Sequence, residues 1–223
     1  MSPTKRSRLQ ELARKRRRAR WPNYRRISEY HIHAYESDHV SPYTKSADNV
    51  DSPVFLLLQD WGSHKFLSAK LSREVKRFGM APRLPTNRNL IGLLTTHLGL
   101  QLRDVYATNL FPFIKLGGLT EPIPEADLVR AARRFALPQI HIVQPKLVVC
   151  LGLATFNAVR VACGQPSCND LERAIASPFR WRRVAIWAQS HPGHFGRVCR
   201  NRSRPGQVAC DWQKMRLAVN AQT

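Results

Sequence analysis

Three polar side chains in this sequence have the chemistry to act together on one bound group, although they lie far apart in the chain. Asp60 and His191 each follow a short apolar run, and Asn109 lies near the end of another. Taken singly, each has an ordinary structural explanation, because Asp and Asn are common in turns and a histidine is often a satisfied loop residue. A carboxylate can orient water or stabilise a cation, an amide can recognise a base edge, and an imidazole can donate a hydrogen bond to a developing anion. Whether the three side chains act on one bound group depends on whether the fold brings them together.

The elements that would position these residues are short, near-continuous apolar segments, a pattern typical of strands buried on both faces of a sheet. Four such strands are predicted, at Val54–Leu58, Val105–Leu110, Leu147–Leu151 and Val184–Ala188. Helices are predicted between and after them, at Asn89–Leu98, Pro124–Val143 (with a kink or break at Pro138), Leu153–Cys163 and Cys210–Val219. This alternation predicts an α/β fold, a three-layer α/β/α sandwich with a central, mainly parallel four-stranded sheet. Because ligands bind at the carboxyl ends of such strands, Asp60, Asn109 and His191 are expected at one edge.

The charge of the chain indicates the kind of partner. The 223 residues include 36 Lys and Arg against 15 Asp and Glu, which gives a formal net charge of +21 and an isoelectric point near 11.0. So strong a positive charge predicts a polyanion as partner, either nucleic acid or an anionic membrane surface. No apolar run reaches the roughly 18 residues that a membrane span needs, and no membrane partner is expected. With nucleic acid as the partner, the three side chains suit removal of a base turned out of its strand.

The chain divides into three predicted segments. Residues 1–26 contain eleven basic residues and one acidic residue, and they are expected to form a flexible basic arm. Residues 27–51 are polar and aromatic, and they are expected to form an extended lead-in that wraps onto the domain. Residues 52–223 are expected to form the α/β domain.

Four short motifs resemble segments of the uracil-DNA glycosylase superfamily. In chain order they are Leu57-Leu58-Gln59-Asp60, Thr108-Asn109 before Pro112-Phe113, Pro145–Gly152 followed by Ala154, and Ser190-His191-Pro192-Gly193. They are similar, in the same order, to the start of the family's water-activating motif, the segment with its uracil-reading asparagine, its third strand and turn, and its histidine loop. The resemblance spans about residues 54–197, which is most of the predicted domain.

The resemblance implies a role for each matched residue. Asp60 would position the attacking water and stabilise a cationic sugar, and His191, in its neutral form, would donate a hydrogen bond to the uracil O2 atom. Asn109 would pair with the N3 and O4 edge of uracil and reject cytosine. The backbone after Gln59 would help to hold O2. Trp61 lies where the family excludes the thymine methyl group, although a core tryptophan explains it equally well.

The histidine loop is implied to contact DNA. Phe195 falls where the family carries an intercalating leucine, and it would fill the gap left by the turned-out nucleotide. Arg197 and Arg200 belong to a group of arginines that follows it and would bind phosphates, with a solvated basic loop as the alternative. Ser190 and Gly193 are also implied to contact the DNA strand.

The sequence departs from the family pattern in several places. Trp61-Gly62-Ser63 stands where the best-known members have Pro-Tyr-His, and the histidine is followed by Pro-Gly-His-Phe-Gly rather than Pro-Ser-Pro-Leu-Ser. Phe66 and Phe78 are both candidates for the aromatic residue that stacks on the base. These departures indicate a divergent member and leave its base preference open.

The function predicted from these residues is that of a monofunctional uracil-DNA glycosylase, which hydrolyses the N-glycosidic bond and leaves an abasic site. No metal and no cofactor are expected, and the protein is expected to act as a monomer on DNA that contains uracil. The five cysteines include no CxxC pair, which predicts free thiols in a reducing, intracellular compartment. Two alternatives stay open: a DNA-binding protein on the same scaffold that has lost catalysis, and an enzyme that processes free nucleotides.

Overall fold

A computed structural model of the protein describes residues 3–202 and 204–220. Residues 1–2, 203 and 221–223, which fall within the predicted segments, lie outside the described residues. The strands are β1 (Tyr24–Arg25), β2 (Val54–Asp60), β3 (Tyr106–Phe111), β4 (Ile114–Lys115), β5 (Leu147–Leu151), β6 (Phe179–Trp181) and β7 (Val184–Gln189). The helices are α1 (Lys5–Arg18), α2 (His64–Leu67), α3 (Arg73–Phe78), α4 (Pro85–Leu93), α5 (Glu125–Ala131), α6 (Leu137–Val143), α7 (Leu153–Ala162), α8 (Leu171–Ala176), α9 (His194–Asn201) and α10 (Gln207–Asn220).

The central sheet joins β3, β2, β5, β7 and β6 in that spatial order. β2 pairs in parallel with β3 and β5, and β5 pairs in parallel with β7. Along β2 the side chains alternate between two apolar cores. Phe55 and Leu57 face the core that includes residues of α1 and α5–α8, whereas Leu56 and Leu58 face the core that includes residues of α4 and α10. Helices therefore cover both faces of the sheet, which confirms the predicted α/β/α sandwich.

The sheet has five strands rather than the four predicted. The fifth, β6, is a three-residue edge strand that pairs antiparallel with β7. A tight turn joins the two strands, and Arg182 in that turn has a left-handed φ of 56°. None of the side chains in β6 is buried, and three residues are too few to show an apolar pattern in the sequence. The prediction is therefore wrong at this edge, whereas the four parallel strands are confirmed.

The predicted helices are confirmed, with shifted ends. The segment predicted as Pro124–Val143 consists of α5, a π-helical turn at Ala132–Ala136, and α6. Pro138 is the second residue of α6, where a proline is tolerated because its missing N–H falls within the first turn. Residues 125–143 are helical throughout, so the chain is not broken at Pro138, and the irregularity is the wide π turn that precedes it.

The N-terminal basic segment is folded, so the prediction of a flexible arm is wrong for most of its length. Helix α1 buries Leu9, Leu12 and Ala13 on one face, at the spacing of three and four residues that an amphipathic helix uses. Arg16 is also buried, and its guanidinium lies 2.6 Å from the carboxylate of Glu36. The physical reason for the error is that this narrow apolar face is hidden among basic residues, which dominate the composition.

Residues 27–51 wrap onto the domain as predicted, but in bends and 3₁₀ turns rather than as an extended chain. Tyr30, Tyr35 and Tyr43 in this segment are buried. Just before it, β1 pairs antiparallel with β4, with Tyr24 opposite Lys115. The N-terminal part of the chain is therefore built into the domain.

None of the helices within residues 3–202 and 204–220 combines the length and the apolar character that crossing a membrane requires. All five cysteines lie in the described part of the chain, and each is a free thiol. Burial raises the pKa of the Cys150 thiol, which makes it unreactive as a nucleophile.

Candidate active site

A cavity of about 230 Å³ opens at the carboxyl edge of the sheet. Five residues predicted to act on substrate line it together: Gln59, Asp60, Trp61, Asn109 and His191. Asp60 ends β2, Asn109 lies in the adjacent β3, and His191 lies two residues after the end of β7. The cavity is smaller than the roughly 300–1,000 Å³ of sites for drug-sized ligands, so a single heterocyclic base matches its size class. The fold thus brings together residues that the sequence places far apart.

Asp60 is a largely buried carboxylate with a cationic partner. Its Oδ2 atom lies 3.1 Å from the Nζ atom of Lys115, whose side chain is 4% exposed. Burial raises the pKa of Asp60 above that of an exposed aspartate, and the charge of Lys115 and its hydrogen bond to Asp60 oppose that rise. Asp60 can serve as a fixed negative charge beside a developing cation, or as the acceptor of a proton from water.

The ring of His191 lies at the mouth of the cavity in a defined tautomer. Its Nδ1 atom accepts a hydrogen bond from the backbone N–H of Gly193 at 3.1 Å, which leaves the proton of the neutral ring on Nε2. Desolvation lowers the pKa of His191, and the charge of Asp60 opposes this only in part. At neutral pH, His191 is therefore an Nε2–H donor, the form that can hydrogen-bond an oxygen on which negative charge develops.

Two glycines allow the loop to fold against His191. A Cβ atom at Gly193 would come 2.9 Å from Nδ1 of His191 and 3.0 Å from the hydroxyl oxygen of Thr86. A Cβ atom at Gly196 would come 2.3 Å from the backbone oxygen of His191. A side chain at either position would displace the ring. Gly193 is buried and positions His191, and its predicted contact with DNA stays a prediction.

Asn109 is held in one orientation by Ser41. Both residues are buried, and the Ser41 hydroxyl donates to the Oδ1 atom of Asn109 at 2.6 Å. That length is typical of an O–H···O hydrogen bond and short for an amide N–H donor. The amide oxygen of Asn109, and not its nitrogen, therefore faces Ser41. The Nδ2 protons of Asn109 and the second lone pair of Oδ1 remain for a ligand. A donor beside an acceptor matches the O4 and N3–H edge of uracil.

Aromatic rings form part of the cavity wall. Trp61 lines it, and its indole N–H donates to the carbonyl of Gly79 at 2.6 Å, which fixes the plane of the ring. Of the two phenylalanines considered for stacking on a base, Phe66 lines the cavity, and it is 37% exposed. A flat wall that is accessible to solvent is suited to contact with a heterocycle.

An exposed aromatic ring and a basic groove adjoin the cavity. Phe195 is 78% exposed near the start of α9. A groove of about 750 Å³ runs between α4 and α9, and it is lined by Arg88 and Arg197 among other residues. Asn89 of α4 donates to the carbonyl of Pro192 at 2.9 Å, which joins the groove to the histidine loop. Phe195 and Arg197 are therefore accessible for the predicted DNA contacts, which stay predictions.

Two other residues predicted to contact DNA are not available for it. Ser190 is only 1% exposed. Arg200 forms a bidentate ion pair with Asp211, at 2.6 Å from Nε and 3.0 Å from Nη2. Asp211 is buried, so this pair joins α9 to α10 rather than presenting a cation to phosphate. Neither side chain is therefore presented for the predicted DNA contact in this structure, and for Arg200 the reason is a partner in a helix that follows later in the chain.

Sequence reasoning does not identify three further residues of the site: Ser41, Tyr43 and Lys115. Tyr43 lines the cavity, and its hydroxyl donates to Asn87 at 3.2 Å. Ser41 and Tyr43 belong to the segment 27–51, and Lys115 lies in β4, so none of them follows a strand of the central sheet. The aromatic content of the segment 27–51 indicates burial, but it does not indicate a place at the cavity.

Two comparisons of the sequence with known proteins give no match. No protein-family model matches it, and no curated protein sequence matches it. Across residues 3–202 and 204–220, no three His, Cys, Asp or Glu side chains form a group that could hold a metal ion. A functional proposal therefore starts from the cavity and its surroundings.

Proposed function

We propose that this protein is a DNA glycosylase that removes uracil from DNA. The observation that carries the proposal is the shared cavity, in which Asp60, Asn109 and His191 line one space of the size of a base. A carboxylate, an amide with a free donor and acceptor, and a neutral imidazole are the groups suited to breaking a base–sugar bond. The net charge of +21 supports DNA as the carrier of that base.

The proposed reaction is hydrolysis of the bond between C1′ of the sugar and N1 of uracil. As the bond breaks, its electron pair moves onto the base, and the Nε2–H of His191 donates a hydrogen bond to O2, where negative charge develops. Asp60 stabilises the positive charge on the sugar. Water then adds at C1′ and gives its proton to Asp60, which returns it to solvent, and the uracil anion takes up a proton. The products are free uracil and an abasic site in an intact strand.

The surface around the cavity supports a base presented by a DNA strand rather than by a free nucleotide. A base inside a helix cannot reach such a cavity, so it must first be turned out of the stack. The exposed ring of Phe195 can occupy the space that the base leaves. Arg88 and Arg197 in the adjoining groove can bind the phosphates on one side of it.

Release of uracil from an end-labelled oligonucleotide tests the proposal directly. We expect alkali-sensitive abasic sites in an oligonucleotide that contains one uracil, and none in the matched oligonucleotide that contains thymine. Oligonucleotides with mismatched thymine, hypoxanthine or xanthine define the range of bases. Failure to release any base from this panel would refute the proposal.

A DNA-binding protein without catalysis is the second candidate, and one observation favours it. Lys115 occupies one oxygen of Asp60 at 3.1 Å, which weakens that carboxylate as an acceptor of a proton from water. Such a protein would bind an oligonucleotide that contains uracil and release no base. Saturable binding without turnover would decide in its favour.

Ser41→Ala is expected to relax the discrimination between uracil and cytosine. Without the hydroxyl, the Asn109 amide can turn over and present its donor and acceptor in the reverse order, which is the pattern that cytosine accepts. The loss of one buried hydrogen bond, roughly 1–1.5 kcal/mol, corresponds to about a tenfold rise in the relative rate on cytosine. The measurement is the ratio of single-turnover rates on matched oligonucleotides, with the exposed Ser68→Ala as control. An unchanged ratio in a folded Ser41→Ala protein would contradict the assigned orientation.

Arg88→Gln and Arg197→Gln are each expected to weaken the salt dependence of DNA binding. Each phosphate contact that is lost should reduce the slope of log K against log salt by about one. The preference among bases should not change, because neither side chain lines the cavity. The control is Arg183→Gln, an exposed arginine in the turn before β7, at the opposite end of the sheet. Equal slopes for all three variants would show that the groove is not the path of the phosphate backbone.

A further inference from the structure

The contact between Asp60 and Lys115 is a feature of the site that the proposed mechanism leaves unused. Lys115 is 4% exposed and lies behind Asp60, outside the set of residues that line the cavity. Its ammonium group makes three contacts: 3.1 Å to Oδ2 of Asp60, 2.6 Å to the carbonyl of Leu119 and 3.0 Å to the carbonyl of Glu121. An ammonium group has three N–H bonds, so each of them has a partner.

We infer that Lys115 is a positioning residue for the proposed reaction, in which it keeps Asp60 ionised in its buried site and fixes the loop 116–121 at the mouth of the cavity. The inference rests on the proposed function, because it assigns Lys115 a role in the same reaction. A lysine whose three N–H bonds are engaged is not free to attack the sugar. Lys115 therefore acts through Asp60 and not on the substrate.

The first role follows from the charges around Asp60. Burial by itself favours the neutral carboxyl, whereas an adjacent ammonium favours the carboxylate. His191 is the other titratable group that acts on Asp60, and it is held neutral. Tyr24, opposite Lys115 in the β1–β4 pair, also stays neutral, because burial and its hydrogen bond to Asp127 raise its pKa to about 12. Lys115 is thus the cation that holds Asp60 in the form that can stabilise a positive sugar.

The second role follows from the loop that Lys115 holds. Leu119 lines the cavity and is 58% exposed, so this apolar side chain is available to a bound strand. Gly117 and Gly118 precede it, and two glycines give the loop high conformational freedom. The hydrogen bonds from Lys115 to the carbonyls of Leu119 and Glu121 restrict that freedom. Lys115 binds Glu121 through its backbone carbonyl, whereas the Glu121 side chain is exposed.

Two substitutions separate the two roles. Lys115→Gln removes the charge but keeps two N–H donors for the loop carbonyls, whereas Lys115→Met removes both. Without the ammonium, the pKa of Asp60 rises further, so the proton that inactivates it binds at higher pH. We expect the acid limb of the pH–rate profile to lie about one pH unit higher in both variants, which corresponds to about a tenfold loss in single-turnover rate at pH values below the limb. Only Lys115→Met should also raise the enzyme concentration that gives half the maximal rate.

Lys115→Arg retains the positive charge, so the acid limb of its pH–rate profile should lie near that of the natural protein. The exposed Lys146→Met is the control for loss of a lysine, and it should leave both the rate and the limb unchanged. A carboxyl ¹³C titration of Asp60 in the same proteins gives a readout that does not depend on activity. Its midpoint should rise in the Gln and Met variants. If Lys115→Met does not fold, Lys115→Gln carries the test.

The inference is overturned if the acid limb of the pH–rate profile and the midpoint of the Asp60 ¹³C titration are both the same in folded Lys115→Gln protein as in the natural protein. A natural protein that releases no base would instead refute the proposed function. In that case the ¹³C titration still decides whether Lys115 keeps Asp60 ionised. The two failures are therefore distinguishable.

Discussion

Asp60→Asn is expected to lower the single-turnover rate of uracil release about 10²–10⁴-fold at pH 7, the range typical of a positioned acid–base group. Asparagine has nearly the same shape and can still accept a hydrogen bond from Lys115, whose other bonds go to two carbonyls. Because the substitution leaves the buried Lys115 ammonium without an anionic partner, the melting temperature is also expected to fall, and the rate is measured on protein shown to be folded. What is lost is the negative charge that stabilises the sugar cation and accepts a proton from water.

The matched control for this substitution is Asp51→Asn. Asp51 precedes the same strand, but its side chain is 78% exposed and its contact with Lys5 is a surface ion pair, which contributes little to stability. The Asp51→Asn variant should retain the full single-turnover rate of uracil release. Equal rates for Asp60→Asn and Asp51→Asn would show that Asp60 is not a catalytic residue, even if uracil is released.

His191→Ala, combined with Asp60→Asn, sharpens the same prediction. Loss of one donor to a developing anion costs about 10²–10³-fold in rate. Because Asp60 and His191 would act on opposite charges of one transition state, the double variant should lose far less than the product of the two single losses. Fully multiplicative losses would indicate that the two residues act in separate steps.

The convergence of Asp60, Asn109 and His191 could be predicted because it depends on local patterns. Each of the four parallel strands is a short apolar run buried on both faces, and such runs stand out in a sequence. Once the strands are assigned, the geometry of a parallel sheet requires their carboxyl ends to meet at one edge. The residues that follow those runs are therefore neighbours in any fold of this class.

The residues that tune the site could not be predicted, because their positions depend on contacts between distant segments. Ser41 reaches Asn109 across 68 residues, and no pattern in the sequence relates them. Lys115 pairs with Asp60 because β4 is held by a two-residue strand near the N-terminus. Strands of two residues have no periodicity that sequence patterns can detect.

Charges predict less than apolar runs do, because a charge count does not distinguish a free side chain from a paired one. The basic neighbours of Arg200 predict a contact with DNA, yet Arg200 pairs with Asp211. In the same way, the composition of residues 1–26 predicts a solvated arm, although Arg16 is buried against Glu36. Net charge predicts a class of partner, but it does not show which cations reach that partner.

Deletion of residues 1–26 is expected to destabilise the whole domain by several kcal/mol. Trp21 is 4% exposed, and its ring centroid lies 5.8 Å from that of Phe111 and 4.9 Å from that of Phe113. Its indole N–H also donates to Asp127 at 2.9 Å. Loss of one buried tryptophan costs roughly 3–5 kcal/mol, out of a total stability of roughly 5–15 kcal/mol. At roughly 2–4 °C per kcal/mol for a domain of this size, the melting temperature should fall by about 10 °C or more.

A variant that changes only charge separates this structural role from the electrostatic one. Arg8, Arg18 and Arg20 are exposed, so their joint replacement by Gln removes three charges without opening the core. Surface substitutions of this kind change stability by about 0.5 kcal/mol or less each, so this variant should melt close to the full-length protein while its DNA binding depends less on salt. Calorimetry of both proteins tests the distinction. If the truncated protein melts as the full chain does, the packing of Leu9, Leu12 and Trp21 contributes nothing to the domain. A large fall in the melting temperature of the truncated protein alone would mean that the N-terminal cations lie on a folded surface, at a fixed distance from the cavity.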